Sequence, residues 1–497
     1  MDERTQIESQ HDASSRRWRI LWRFHFYSGI LSIPFIVLMA LTGLVILYTQ
    51  PIEDLTQRDL RVVSVGSKAV PYDEQAHAVE EAFPEATVTS MTVGADPKHS
   101  TIFAIDDGSA SGREVFVDPY TGEVLGSVNA GSGIVRLSNR LHGYLNNPWA
   151  LRLPTVSALW DGGAVMRDYQ VGDMLLEILG VWTLVLVSTG AYIYWPRRSA
   201  VGAARNRRGF LRIRWGKGGR ARWRDLHGFA GILLIAGMVL TIISGLAWST
   251  YWGPNFTALA NEISPNSWTD APASTLGTRG DLDRLGNTIP WNTGDRPIPA
   301  SYATKADGSL PAPLSLDDVV RVARREHMKP GFTVNLPTNA TDEKSKEVTY
   351  GSFTMSNSWP RKTGEARDVF LDQFSGKTLG EQDAYGYGSV SYGLDTLVST
   401  HMGTQLGIAN RILMTSVCVL ALWSVVSAIA MYSKRRRKGS FGLPRRPENL
   451  RLGWGLWTIG ALMVVVFPEW GVTALAILGF DHFVIQRTRL RRTFGQR

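Results

Sequence analysis

Histidine is scarce in this chain, nine in 497 residues, and cysteine occurs once. Four of the histidines, His25, His142, His227 and His401, stand close to where long apolar stretches begin or end. A neutral imidazole gives one ring nitrogen to a metal and the other to a hydrogen bond, so two facing histidines can hold an iron axially. Cys418 lies inside an apolar run, which excludes internal disulfides, a thiolate zinc site and an iron–sulfur cluster. No C-x-x-C-H occurs, so a covalently attached haem is excluded as well.

The four histidines follow a pattern. His25 in "RFHFYSGI" and His227 in "DLHGFAGI" each precede a glycine by four residues, Gly29 and Gly231. Seventeen residues beyond each comes a small pair and a leucine, Thr42-Gly43-Leu44 and Ser244-Gly245-Leu246. Small residues there let helices approach closely in lipid. His142 in "NRLHGYL" and His401 in "STHMGTQLG" each follow a copy of another motif, "VFVDPYTGEVLG" (115–126) and "VFLDQFSGKTLG" (369–380). The chain is a tandem repeat of span, module, histidine and span. Its copies place one histidine of each pair in each half. From His25 to Gly43 the helix rises roughly 27 Å, so the two pairs stand about one hydrocarbon thickness apart. That arrangement suits two haems, one near each face. Two readings stay open at this point: ordinary interfacial histidines carried along by the duplication, and His482 in "GFDHF" as a competing inner ligand.

Other chemistries find no support. "WGKGGR" lacks the strand context and the Lys-Ser/Thr ending of a phosphate loop. No Gly-x-Gly-x-x-Gly follows a strand, so no nicotinamide or flavin domain is evident, and no hydrolase signature assembles. His11, His77, His99 and His327 read as solvated. Trp149, Trp160, Trp252 and Trp359 read as interface belts or module cores, and Asp173 and Glu177 as acids favoured at a helix N-terminus, with a proton path as the alternative reading of the two acids.

The positioning elements are apolar runs at about residues 26–49, 174–195, 228–250 and 409–432, each long enough to cross a bilayer. Two shorter runs, 451–467 and 470–486, are split by "FPEWG" and read as a thin or tilted hairpin. The formal charge of +9 collects beside these runs in "RRWRILWR", "RNRR" with "RIRWGKGGRARWR", "KRRRK" and "RTRLRR". That placement argues for membrane topology rather than nucleic acid. The positive-inside rule puts both termini in the cytoplasm and the two long segments outside. The resulting organisation is a cytoplasmic tail and first span (1–49), an outer segment with a first module (50–173) and spans two and three around a basic loop (174–250). An outer segment with a second module (251–408), a fourth span (409–438) and a C-terminal hairpin and tail (439–497) complete it. The first run is too long for a signal-peptide core and reads as a retained anchor. Each module pairs a helix-like stretch, "YDEQAHAVEEAF" or "LSLDDVVRVARREH", with alternating strands and an Asp-x-x-[TS]-Gly turn. The expected fold is a multi-pass α-helical membrane protein, a four-helix core plus a hairpin, with two periplasmic α+β modules.

The ordered set "FHFYSGI…ALTGL", "RLHGYL", "LEILGVWTLVLVSTGAYIYWPRR", "DLHGFAGI…IISGL" and "HMGTQLG…NRIL", with both Asp-x-x-[TS]-Gly modules, resembles the PepSY-associated transmembrane family. This family includes iron-regulated membrane proteins and bacterial siderophore-iron reductases, and the likeness covers about residues 16–437. It departs from an exact repeat at Ser427-Ala428, where the second span has Thr189-Gly190, and in the insertion after His142. The resemblance implies a protein of the bacterial cytoplasmic (inner) membrane with two non-covalent, bis-histidine haem b groups. His25 and His227 would bind the inner iron, and His142 and His401 the outer one. Electrons would pass from quinol or a separate cytoplasmic reductase to a periplasmic ferric siderophore, reducing Fe(III) to Fe(II). Two rival classes remain, a siderophore or iron transporter subunit and a non-enzymatic PepSY regulatory protein.

Overall fold

A computed structural model describes residues 3–155, 166–195, 213–216, 219–264, 298–301, 311–342, 344, 346, 348–357, 361–436 and 454–485. The basic stretches "RNRR" and "RTRLRR", Trp160 and Trp359 lie outside the described residues. The chain divides into two compact units. One comprises Met1–Leu44, Leu141–Pro254 and Ile412–Arg497, the other Val45–Arg140 and Asn255–Arg411.

In chain order the first half contains helices α1 (Glu3–Leu47), α2 (Thr49–Thr56), α3 (Arg58–Arg61) and α4 (Tyr72–Ala82). Strands β1 (Thr87–Thr92), β2 (Thr101–Asp106), β3 (Arg113–Val117) and β4 (Val124–Asn129) follow, then helix α5 (Gly133–Tyr144). The hairpin β5 (Ala150–Pro154) and β6 (Met166–Gln170) leads into α6 (Val171–Tyr194). The second half contains α7 (Gly219–Leu246), α8 (Trp252–Ile263), α9 (Leu316–Arg325), β7 (Thr333–Asn335) and the short pair β8 (Ala340–Thr341) and β9 (Val348–Thr349). It continues with β10 (Ser352–Ser356), β11 (Arg367–Asp372), β12 (Thr378–Asp383), α10 (Ser389–His401) and α11 (Ile408–Arg435). Helices α12 (Trp454–Val466) and α13 (Pro468–Phe480) close the chain.

The protein is a membrane protein of helices and β-sheet. Four helical stretches are long and apolar enough to cross a bilayer: Arg17–Leu47 within α1, then α6, α7 and α11. Pro34 leaves α1 unbroken. Helix α12 is apolar but has 13 residues, roughly 20 Å at 1.5 Å per residue, short of a full hydrocarbon core. Proline at the first position of α13 sets the turn between the two. Close packing within this unit rests on small residues. A Cβ on Gly237 of α7 would lie 2.6 Å from Val417 of α11, and one on Gly228 would overlap the Tyr194 ring.

In the second unit each half contributes four antiparallel strands to one sheet and a helix, α4 or α9, to the core beside it. Ser315 caps α9 by accepting the Asp318 N–H, and Leu316, Val319, Val320 and Ala323 then fall on one buried face. Val79 of α4 is buried likewise. The two Asp-x-x-[TS]-Gly turns match in detail. Gly122 and Gly376 have φ of 75° and 68°, and their N–H groups reach the carbonyls of Asp118 and Asp372 at 2.9 and 3.0 Å. Each follows a register shift at the same place, Phe116/Val117 and Phe370/Leu371.

Here the structure departs from the picture of two separate modules. The strands form one eight-stranded sheet, in the order β12-β11-β10-β7-β1-β2-β3-β4. The two halves meet through their first strands, with Met91 opposite Val334. One continuous core contains Val79, Met91, Phe103 and Val115 from the first half and Val319, Val334, Met355 and Val369 from the second. Pairing β1 with β7 removes an exposed strand edge from each half.

Candidate functional site

Helix α1 carries His25 and α7 carries His227, and their ring centres lie 6.5 Å apart at an interplanar angle of 75°. Each ring is held by the helix that follows its own in the repeat. His25 Nδ1 lies 3.0 Å from the Leu186 carbonyl and 3.3 Å from Thr189 Oγ1 on α6. His227 Nδ1 lies 3.1 Å from the Ser424 carbonyl and 3.0 Å from Ser427 Oγ on α11. A carbonyl oxygen only accepts, so both Nδ1 atoms carry the proton. The hydroxyls are already donors, Thr189 to the Val185 carbonyl at 2.6 Å and Ser427 to the Ser424 carbonyl at 2.9 Å. They therefore accept from the imidazoles, and each ring keeps the Nε2 lone pair for another partner. This second interaction fixes tautomer and orientation, as it does for metal-bound histidine.

Glycine makes room for one of these rings. A Cβ on Gly190 would stand 2.9 Å from His25 Cε1. Beyond His25 the aromatic side chains continue along α1. Trp22 stacks near the His25 ring at 6.1 Å between centres, and Trp18 lies nearly parallel to Trp22 at 6.0 Å. The Arg435 guanidinium of α11 lies over both Trp22 and Phe26, 5.4 and 5.3 Å from the ring centres.

His142, near the end of α5, follows the same rule. Its Nδ1 is 2.8 Å from Thr42 Oγ1, whose own hydrogen goes to the Leu38 carbonyl at 2.7 Å. The imidazole therefore donates through Nδ1, and Nε2 is again the basic nitrogen. Loss of solvation pushes the His142 pKa down to about 4, which keeps the ring neutral at physiological pH. Gly43 lies beside it, with a would-be Cβ 3.5 Å from His142 Cε1. Gly172 at the start of α6 touches the Tyr144 backbone, where any Cβ would overlap the carbonyl oxygen. That contact anchors the chain two residues beyond His142.

His401 is the last residue of α10 and belongs to the unit that contains the sheet. Buried Asn410 holds this helix end through the Thr400 carbonyl at 2.8 Å, and Gly403 turns the chain with φ of 73°. His482 is exposed and lies against Phe483. Its neighbour Asp481 is the buried one, and it binds Arg23 at 2.9 Å and the Tyr27 hydroxyl at 2.8 Å on α1. Among the other histidines, His77 lies beside Glu81, and His99 beside Asp96 and Asp54.

The structure thus brings His25 and His227 together and gives each an oriented ring. The supporting residues Thr42, Thr189 and Ser427 were not assigned this role from sequence. The signal was available, because the repeat aligns Thr189 with Ser427 as small hydroxyl residues. Glu177 also differs from expectation. It lies beyond the first turn of α6 and is buried, and its Oε2 accepts the N–H groups of Tyr251 and Trp252 at 3.3 Å each. Helix-end electrostatics therefore account for Asp173 but not for Glu177. Among the described residues, no three His, Cys, Asp or Glu side chains gather as a bare metal site would require.

A family model described as PepSY-associated TM region matches residues 22–435. No curated protein matches the chain.

Proposed function

The chain belongs to the PepSY-associated TM region family, and we propose that it is a haem-dependent membrane oxidoreductase that passes electrons to a ferric chelate outside the bacterial inner membrane. The observation that carries this reading is the pair His25 and His227. A metal bonded to both Nε2 atoms at about 2 Å each would hold the ring centres roughly 6 Å apart, close to the 6.5 Å observed. Two imidazoles alone leave most of a metal's positions unfilled, which favours a group that supplies its own equatorial ligands. The residues present therefore fit a haem b that His25 and His227 would hold.

When bound, haem supplies one-electron exchange at its iron, and the protein supplies binding, orientation and surroundings. His25 and His227 would hold the inner group. The carbonyls of Leu186 and Ser424 keep each proton on Nδ1, and Thr189 and Ser427 limit ring rotation. His142 is prepared in the same way by Thr42 and would hold the outer group with His401, its counterpart in the repeat. In this reading the helices form a four-helix core with an added hairpin, N-in and C-in. The sheet is then periplasmic and consists of two fused PepSY-like modules.

The acceptor follows from coordination chemistry. Catecholate and hydroxamate oxygens are hard ligands that favour Fe(III), so reduction to Fe(II) loosens the chelate and releases iron. A separate donor, membrane quinol or a cytoplasmic reductase, supplies the electrons. The test is the visible spectrum of the purified full-length protein. A Soret band that shifts on adding dithionite is expected. A colourless protein that folds and stays colourless after haem is supplied would sink the redox reading, leaving the transporter or regulatory alternatives.

A further inference from the structure

Glu177, buried on α6, and Glu469, half-buried in the first turn of α13, are acids of the membrane unit. Glu177 is 2% exposed, and its Oε1 has no partner among the described residues. Its other oxygen is fixed by the N–H groups of Tyr251 and Trp252. Both carboxyl oxygens of Glu469 are buried and make no hydrogen bond to another side chain. The surroundings are aromatic and apolar. Trp182 and Trp470 lie 5.4 Å apart, Trp252 stacks on Phe467 at 6.0 Å, and all four belong to one cluster with Val181, Ile242 and Leu246. The Trp470 indole N–H, next in sequence to Glu469, is also buried without a partner.

The charged groups acting on Glu177 are Glu469 and Asp173, both acids, and no described ion pair reaches either glutamate. The other titratable group facing the pair is Tyr251, with Tyr169 of β6 5.0 Å from it. Burial pushes Tyr251 up to about 12, so it stays a neutral phenol. Two carboxylates in a low-dielectric site without a cation repel strongly, and a single proton on the pair removes that repulsion. Ionisable groups at membrane depth are costly to keep and mark pathways for protons and ions.

We infer that Glu177 and Glu469 form a proton-binding site of the membrane unit, which takes up one proton for the pair and exchanges it through Asp173, one helical turn earlier on α6. The site requires no cofactor. If the redox reading above holds, the proton also offsets the charge of an electron entering the membrane unit.

Infrared difference spectra of the full-length protein in detergent, recorded between mildly acidic and mildly alkaline buffer, test this directly. The expected signal is a protonated-carboxyl stretch that shifts in D2O, gives way to carboxylate bands on alkalinisation and is abolished in Glu177→Gln. In Glu469→Gln the band should persist at a shifted frequency and titrate at lower pH, because the neighbouring negative charge that favours the protonated form is gone. Thermal melting of both variants checks folding. If Glu177→Gln does not fold, Glu469→Gln carries the test alone. A band unchanged in both variants would overturn the proposal. A response to NaCl instead of pH would also overturn it, because the ligand would then be a metal cation.

Discussion

At the scale of single residues, the inner histidines are set by a few contacts that can be removed one at a time. Gly190→Ala places a methyl group against His25 Cε1 at 2.9 Å, so the ring must shift from its observed position. Gly231→Ala, one turn beyond His227, adds a Cβ with nothing within 4 Å. We expect the first variant to lose about half the bound haem and the second to retain it, measured as haem per polypeptide. Equal retention in both would detach Gly190 from the site. Ser427→Ala removes one neutral acceptor from the His227 N–H while leaving the Ser424 carbonyl. The cost in holding the ring should be about 1 kcal/mol. The histidines themselves were legible in sequence because they are rare and repeat at fixed offsets. The carbonyls of Leu186 and Ser424 were not, because backbone groups leave no trace in residue identity. Glu177 was misread for a related reason. Its position near a helix start resembles an end-capping acid, and only the folded chain shows the Tyr251 and Trp252 amides arriving from another segment.

At the scale of elements, the crossing helices and the paired Asp-x-x-[TS]-Gly turns could be read directly from hydropathy and turn chemistry. The seam between β1 and β7 could not. Strand edges pair through backbone groups, and β7 has only three residues, too few for a recognisable alternation. Because one core runs across that seam, the two halves should lose stability together. Val334 is fully buried beside Met91, and Val334→Asp places an unpaired charge there. Hydrogen exchange measured peptide by peptide should then show loss of protection in β1–β3 as well as β10–β12. Loss confined to the second half would mean that the halves fold independently. Within the membrane unit, Gly237→Ala pushes against Val417 at 2.6 Å. Overpacking of this kind costs about 1–3 kcal/mol, whereas Gly245→Ala, with nothing within 4 Å, should be neutral.

At the scale of the whole molecule, the sheet is proposed to lie outside the inner membrane. Ser109 lies in the exposed turn between β2 and β3, and Cys418 is the sole native thiol. Ser109→Cys should therefore react with a membrane-impermeant maleimide in cells whose outer membrane alone has been opened. Labelling only after full lysis would invert the topology. In the proposed function His25 and His227 hold one of two haems between them. The most direct measurement is haem content of the purified protein by pyridine haemochrome, compared among the parent, His227→Ala and His482→Ala. Two haems per chain are expected in the parent, one in His227→Ala and two in His482→Ala. Full haem content in His227→Ala, or a loss in His482→Ala alone, would contradict it.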